Sequence, residues 1–180
     1  MEEDAFDVNV PLFREPPEEM ESDWYHGFLL GGMIAYGELE VARSYRNAGD
    51  AVIAAAINDA DLSHEWVYPA FFLYRHAIEL YLKLVVQPTS KNHSLPDLID
   101  SFESICKDEL GMDVPVWVRQ RLDEIVAIDP RSTSFRYSDV LDKNELANRG
   151  EWWVEFRHIK WLMNCLFDGF EKAHALRRSH

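Results

Sequence analysis

Hydrophobic residues recur at helical spacing along most of the chain, and no useful length of sequence alternates between polar and apolar positions as a β-strand would. The most apolar segment is residues 68–87, YPAFFLYRHAIELYLKLVVQ. At about 100° per residue, its apolar side chains cover most of the circumference of a helix. The pattern predicts a central helix that is buried on most sides and surrounded by the other helices.

The charged residues of this segment fall on one narrow strip of the helix. Arg75, His76, Glu79 and Lys83 lie within an arc of about 100°. Arg75 with Glu79, and Glu79 with Lys83, are spaced i, i+4, which favours ion pairs along the helix surface. One interpretation is a salt-bridged polar seam. The other is a binding strip left open to water, a partner or a ligand.

The same periodicity predicts the remaining helices. We expect them at residues 24–47, at 51–59 after an N-cap at Asp50, at 94–110 after the capping-box pair Ser94 and Asp97, at 115–129, and at 151–176. Residues 129–149, which include Phe135-Arg136-Tyr137, show no clear hydrophobic periodicity. We therefore expect a long ordered loop there, and loops of this length are often functional. Five to six helices with short links predict an all-α helical bundle.

The last predicted helix has two distinct faces. Its apolar face comprises Trp152, Phe156, Ile159, Met163, Leu166, Phe167 and Phe170. The opposite face comprises Arg157, Lys160, Asn164, Asp168 and Glu171. We expect the aromatic face to dock on the bundle.

Length and charge define the domain organisation. The 180 residues suit one domain, and 47% hydrophobic with 13% aromatic residues predict a folded chain. The net charge of -14 is uneven, because residues 1–23 contain nine acids and one base. We therefore expect an irregular acidic N-terminal arm at 1–23 and a helical bundle at 24–180. The arm is either a solvated tail or a segment that covers a basic surface.

Two widely separated cysteines, Cys106 and Cys165, indicate neither a disulfide framework nor a zinc site and favour a reducing cytoplasm. The apolar run at 28–36 is too short to cross a bilayer, so we expect no membrane insertion. It also follows an acidic leader, where a signal peptide would have a basic one.

Three acid-x-x-His pairs raise the possibility of a metal site: Asp61/His64, Glu155/His158 and Glu171/His174. The last two pairs point to nearly opposite faces of one helix and so cannot share a metal centre. We expect no metal and no cofactor.

Four local features of the chain resemble the HEPN-like superfamily, the helical "higher eukaryotes and prokaryotes nucleotide-binding" domains. They are Tyr68-Pro69 with Phe72-Leu73 and then Arg75-His76-x-x-Glu79-Leu80-x-Leu82-Lys83, next His93-Ser94-Leu95 with Leu98, then Phe135-Arg136-Tyr137, and a closing amphipathic helix. The resemblance covers roughly residues 30–172. It implies a helical bundle that forms a homodimer and works in a bacterial defence or toxin-type system.

Superfamily members that cleave RNA carry Arg, four to six residues, then His, and no Arg and His in this chain have that spacing. The resemblance therefore favours a non-catalytic or degenerate binding or regulatory domain, with a protein partner possible. The alternative is a metal-independent ribonuclease with a rearranged site, for which the candidate catalytic residues are His158, Arg157, Arg136 and His93. The net charge does not favour RNA binding. A second alternative is an acidic nucleic-acid mimic that inhibits a partner.

Overall fold

The computed structural model describes residues 36–58, 63–89, 94–129, 135 and 153–179, and these residues contain five α-helices and no strand. The helices are α1 (Glu38–Asn58), α2 (Ser63–Val86), α3 (Leu95–Asp108), α4 (Val116–Ile128) and α5 (Phe156–Ser179). They belong to one compact unit that begins at Gly37. The predicted all-α bundle is confirmed. The predicted arm at 1–23, the first part of the first predicted helix and most of the 129–149 loop lie outside the described residues.

Helix α2 lies at the centre of the bundle and packs against α1, α3 and α5. Its fully buried side chains include Tyr74, Ile78, Tyr81 and Leu82, each 1% exposed or less. The prediction of a central helix buried on most of its circumference is therefore confirmed, and the helix begins five residues earlier than expected.

Helix α1 corrects one prediction. Instead of one helix that ends near residue 47 and another that starts after an N-cap at Asp50, a single helix runs through both segments. The sequence Gly49-Asp50 suggested a break because both residue types favour turns and caps. In the folded chain Gly49 is buried against the ring of Tyr74, and Asp50 bonds to α2 and α5. Tertiary contacts outweigh the local preference.

Helices α3 and α4 begin as their sequences predict. The Ser94 hydroxyl accepts a hydrogen bond from the backbone N–H of Asp97 at 3.4 Å, so Ser94 is the N-cap of α3. Helix α4 follows Pro115, whose fixed φ suits a helix start. Helix α4 ends at Ile128 with Asp129 as its C-cap, one residue before the predicted end, and the observed end of α3 lies two residues before the predicted one.

Helix α5 starts at Phe156 rather than near residue 151. Its N-cap is Glu155, whose two carboxylate oxygens accept hydrogen bonds from the backbone N–H groups of Arg157 and His158 at 3.1 and 2.6 Å. These bonds hold the pKa of Glu155 below its usual value. The aromatic face of α5 docks on the bundle as expected, with Phe167 and Phe170 packed on Tyr81.

The end of α5 also fixes the end of α2. The Arg177 guanidinium donates hydrogen bonds to the backbone carbonyls of Val85 and Val86 and forms an ion pair with Glu109. Gln87, the next residue after α2, has a φ of 50°, the left-handed conformation common at helix ends. One side chain thus satisfies carbonyls at the end of α2 and joins three segments of the fold.

Candidate functional site

The charged strip of α2 forms ion pairs within the bundle. Arg75 Nη1 lies 2.6 Å from Glu79 Oε2, and Lys83 Nζ lies 2.7 Å from Glu79 Oε1. Arg75 Nε also lies 3.4 Å from Asp129 Oδ2, just after α4. Arg75, Glu79 and Asp129 are 2%, 5% and 2% exposed. The interpretation of the strip as a salt-bridged seam is confirmed, and its use as a binding strip stays a prediction.

His76, the fourth member of the predicted strip, is half-buried among aromatic rings. Its imidazole meets the Tyr45 ring edge-on, with centroids 4.4 Å apart, and is parallel to the Phe72 ring at 6.2 Å. The Tyr45 contact connects α2 to α1, whereas Phe72 lies on α2 itself. The His76 side chain therefore packs between α1 and α2.

The structure contains a second polar cluster, between α1 and α5, that sequence reasoning missed. Asp50 accepts hydrogen bonds from the Tyr74 hydroxyl at 2.7 Å and from Asn164 Nδ2 at 3.0 Å. Arg46 donates to Asn164 Oδ1 at 2.8 Å and pairs with Asp168 at 2.9 Å. The polar face predicted to lie opposite the core therefore contacts α1.

The same interface continues at Glu171. Its carboxylate accepts hydrogen bonds from Arg43 at 2.5 and 3.0 Å and from the Tyr81 hydroxyl at 2.7 Å. The bonds from Arg43 lead in lowering the pKa of Glu171. Burial, followed by the bond to Glu171, raises the pKa of Tyr81 to about 12. Glu171 therefore stays ionised and Tyr81 neutral at physiological pH.

A sequence signal for this interface exists in the spacing of its charges. Arg43, Arg46 and Asp50 on α1 recur at three- and four-residue intervals, and so do Asn164, Asp168 and Glu171 on α5. Such spacing puts each set on one helix face. Two polar faces of matching length and opposite predominant charge indicate that the helices could pack through them.

The candidate catalytic residues are distributed as follows. Arg157 and His158 are consecutive and exposed at the start of α5, where the His158 ring lies 5.9 Å from that of Trp161. Arg136 and His93 lie outside the described residues. Of the loop triplet, Phe135 is described, and its ring stacks on Phe71 of α2 with centroids 5.1 Å apart.

An apolar groove runs beside α5 where α3 and the start of α4 approach it. It encloses about 430 Å³ and is lined by Cys106 of α3, by Met112 and Trp117, and by Cys165 and Leu176 of α5, among others. Met112, Trp117 and Leu176 are each about 40% exposed. Burial, with a smaller contribution from Glu103, raises the pKa of the Cys106 thiol to about 11, so this thiol is neutral and unreactive at physiological pH.

Among the described residues, no group of three or more His, Cys, Asp or Glu side chains is placed to hold a metal ion. No helix in the described part of the chain has the length and hydropathy needed to cross a bilayer.

The described residues form an all-α helical bundle with a charged interface between α1 and α5 and an open apolar groove beside α5. Comparisons with protein-family models, with curated proteins and with solved structures found no match to this chain.

Proposed function

We propose that this chain is a non-catalytic binding or regulatory module that acts through contact with another protein, as a HEPN-like domain of a bacterial defence or toxin-type system. The observation that carries the proposal is the apolar groove beside α5, with exposed Met112, Trp117 and Leu176 at its edge. Exposed apolar side chains grouped around a concave surface are typical of protein interaction sites.

The arrangement of the charges supports the same function. General acid–base catalysis needs groups that can exchange protons with a bound substrate. In the described part of the chain, Arg75, Glu79, Arg43 and Glu171 instead form ion pairs between or along helices. These pairs suit a rigid scaffold that presents a surface.

A metal-independent ribonuclease is the second candidate, and it is favoured by the exposed pair Arg157-His158 next to Trp161. An imidazole can accept the 2′-hydroxyl proton, a guanidinium can stabilise the developing negative charge, and an indole can stack on a base. Such a site would have the residue types of an RNA-cleaving centre without the usual spacing.

The two functions are separated by incubating purified protein with structured RNA in EDTA. We expect no cleavage by the wild-type chain. His174 lies on the same helix as His158 and serves as the control. Cleavage that disappears in His158→Ala and persists in His174→Ala would overturn the binding-module proposal in favour of the ribonuclease. The paired variants also exclude a contaminating nuclease, whose activity would survive both substitutions.

A further inference from the structure

Helices α3 and α5 run side by side in the same direction along the groove. The Phe102 ring of α3 meets the Phe170 ring of α5 edge-on, with centroids 5.3 Å apart. Seven residues later on both helices, Arg177 Nε lies 2.8 Å from Glu109 Oε2. Both contacts join residues that are 68 positions apart in the chain, which only a parallel pair of helices allows. The groove therefore has two parallel helices along its length.

The groove follows α5 for about three turns. Its lining residues on this helix begin at Cys165 and end at Leu176, recur at intervals of one to three residues, and lie on one side of the helix. Eleven residues separate the two ends, which is about 16 Å along the helix axis. The open length of the groove thus matches that of a short helical segment.

The groove has a buried apolar floor and an exposed apolar rim. Leu166 and Phe170 on the floor are 1% and 0% exposed. Met112, Trp117 and Leu176 on the rim are each about 40% exposed. A partner that covered the rim would remove these three large side chains from water, which favours binding. Tryptophan is also among the residue types that contribute most to protein interfaces.

The backbone chemistry of the groove favours a helical partner over an extended one. An extended peptide gains most of its affinity by pairing its main chain with the edge of a sheet. The described residues contain no strand and therefore offer no such edge. A helix satisfies its own backbone hydrogen bonds and needs only an apolar surface for one of its faces.

Gly169 leaves space for the close approach of a partner backbone. It lines the groove between Cys165 and Leu176 and is exposed. A Cβ atom built on it would meet nothing within 4 Å, so the packing of this chain does not require a glycine there. Glycine lowers the helix propensity of α5, and its absent side chain deepens the groove near its middle.

Two opposite charges line the groove. Lys172 and Asp113 are exposed, and in the described part of the chain neither forms an ion pair within the fold. Asp113 follows the end of α3, where the backbone N–H of Met112 bonds to the carbonyl of Cys106 at 2.9 Å. It therefore lies at the end of the groove that Leu176 marks. A complementary partner has an acid that faces Lys172 and a base nearer that end.

We propose that the groove binds an amphipathic helix of another protein, which presents large apolar side chains at positions i, i+4 and i+7 to the groove and an acidic side chain to Lys172. The inference rests on the proposed function, since it names the chemistry of the protein partner. The net charge of -14 disfavours anionic lipid and nucleic acid as the occupant.

The test selects binders from two displayed peptide libraries against the full chain. The first library contains randomised peptides of about sixteen residues with high helix propensity, long enough to fold as helices. The second is identical but has proline at its centre, which breaks the helix. We expect enrichment from the first library only. The enriched peptides should share apolar residues at i, i+4 and i+7 with an acid beside them.

Variants of the groove then locate the binding site, with the affinity of a labelled peptide measured by fluorescence anisotropy. Gly169→Gln fills the groove and should weaken binding at least about tenfold. It replaces a helix glycine at a position with open space, so the chain should melt no lower than the wild type. Trp117→Ala should weaken binding similarly. Trp153→Ala is its matched control, since Trp153 is 91% exposed and lies outside the groove, and should bind as the wild type does.

A charge exchange tests the orientation of the partner. Lys172→Glu should weaken binding of the selected peptides about fivefold or more, because it places two carboxylates opposite each other. Replacing the acid of the peptide by lysine should weaken binding to the wild type and restore binding to Lys172→Glu. A merely general loss of binding surface would not be restored in this way.

Three results would overturn the proposal. They are no enrichment from the helical library, enrichment from the proline library alone, and selected peptides that bind Gly169→Gln and Lys172→Glu as tightly as the wild type. The second result would leave a protein-binding module with an extended partner. RNA cleavage in EDTA is measured separately and tests the proposed function itself. The helical partner can therefore fail while the proposed function stands.

Discussion

The carboxylate of Asp50 on α1 accepts a 2.7 Å hydrogen bond from the hydroxyl of Tyr74 on the central helix α2. The same carboxylate accepts two hydrogen bonds from Asn164 of α5, at 3.0 and 3.1 Å. A single acidic side chain in the middle of a helix thus joins three helices. Its loss should affect the bundle as a whole rather than one helix.

Tyr74→Phe tests the first of these bonds. The substitution keeps the buried ring and removes the donor to Asp50, and we expect a loss of about 1–2 kcal/mol in the free energy of unfolding. Tyr36→Phe, at a residue that is 65% exposed, should change stability by less than about 0.5 kcal/mol. Urea denaturation followed by circular dichroism measures both. Equal effects of the two variants would contradict a stabilising role for the Asp50–Tyr74 bond.

Gly49→Ala tests the contact between α1 and α2. A Cβ atom at Gly49 would lie 2.7 Å from two carbons of the Tyr74 ring, which is too close for the helices to keep their separation. We expect a loss of about 1–3 kcal/mol despite the better helix propensity of alanine.

Gly169→Ala provides the control for Gly49→Ala, since it makes the same chemical change at a position with open space. It should raise stability by about 0.5–1 kcal/mol. Thermal unfolding compares the two variants. Stabilisation by Gly49→Ala would contradict the close packing of the α1 backbone on Tyr74.

Arg75→Met tests the buried ion pairs of α2. Removing the guanidinium leaves Glu79 and Asp129 in the interior without that cation, and we expect a loss of about 3–5 kcal/mol. Lys83→Met removes a cation from the same carboxylate, but the Lys83 side chain is 23% exposed and the loss should be smaller. Chemical denaturation of both variants checks this order. The opposite order would mean that burial does not decide the strength of these pairs.

The pH dependence of stability should reveal the ion pair at Glu171. The pKa of this carboxyl is lower in the folded chain than its usual value near 4.3, chiefly because Arg43 donates hydrogen bonds to it. The folded state therefore favours the ionised form. The resulting stabilisation is present above the unfolded pKa and is lost as the pH falls through the lower folded pKa.

Glu171→Gln should accordingly reduce the free energy of unfolding by about 1–2 kcal/mol at pH 7, and the difference from wild type should shrink in acid below the folded pKa. Urea titrations at several pH values measure the difference. Glu124→Gln, on a side chain that is 56% exposed, should have an effect under about 0.5 kcal/mol. A deficit in Glu171→Gln that does not change with pH would rule out the proposed linkage.

The sequence predicted the elements whose signals are local. The burial of α2 followed from apolar residues around nearly its whole circumference, and the start of α3 followed from Ser94 and Asp97. The i, i+4 pairs of Arg75, Glu79 and Lys83 likewise depend only on helix geometry. Each of these features can be predicted without knowing which helices are neighbours.

The features that the sequence did not predict depend on neighbours. Asp50 has the residue type of an N-cap, and its interior position is explained by Tyr74 and Asn164, which come from two other helices. The polar face of α5 contacts Arg43 and Arg46 of α1. This contact was not predicted, because periodicity gives the direction of a side chain but not the neighbour that it meets. The groove is formed by segments from three helices and has no continuous pattern in the chain.

The contact of Arg177 with the end of α2 has a consequence for synthesis on the ribosome. The carbonyls of Val85 and Val86 emerge about ninety residues before the guanidinium that binds them. During translation, these two carbonyls at the end of α2 lack their guanidinium partner until residue 177 has left the exit tunnel. Nascent chains stalled before that position should therefore be more sensitive to proteases than chains released after it.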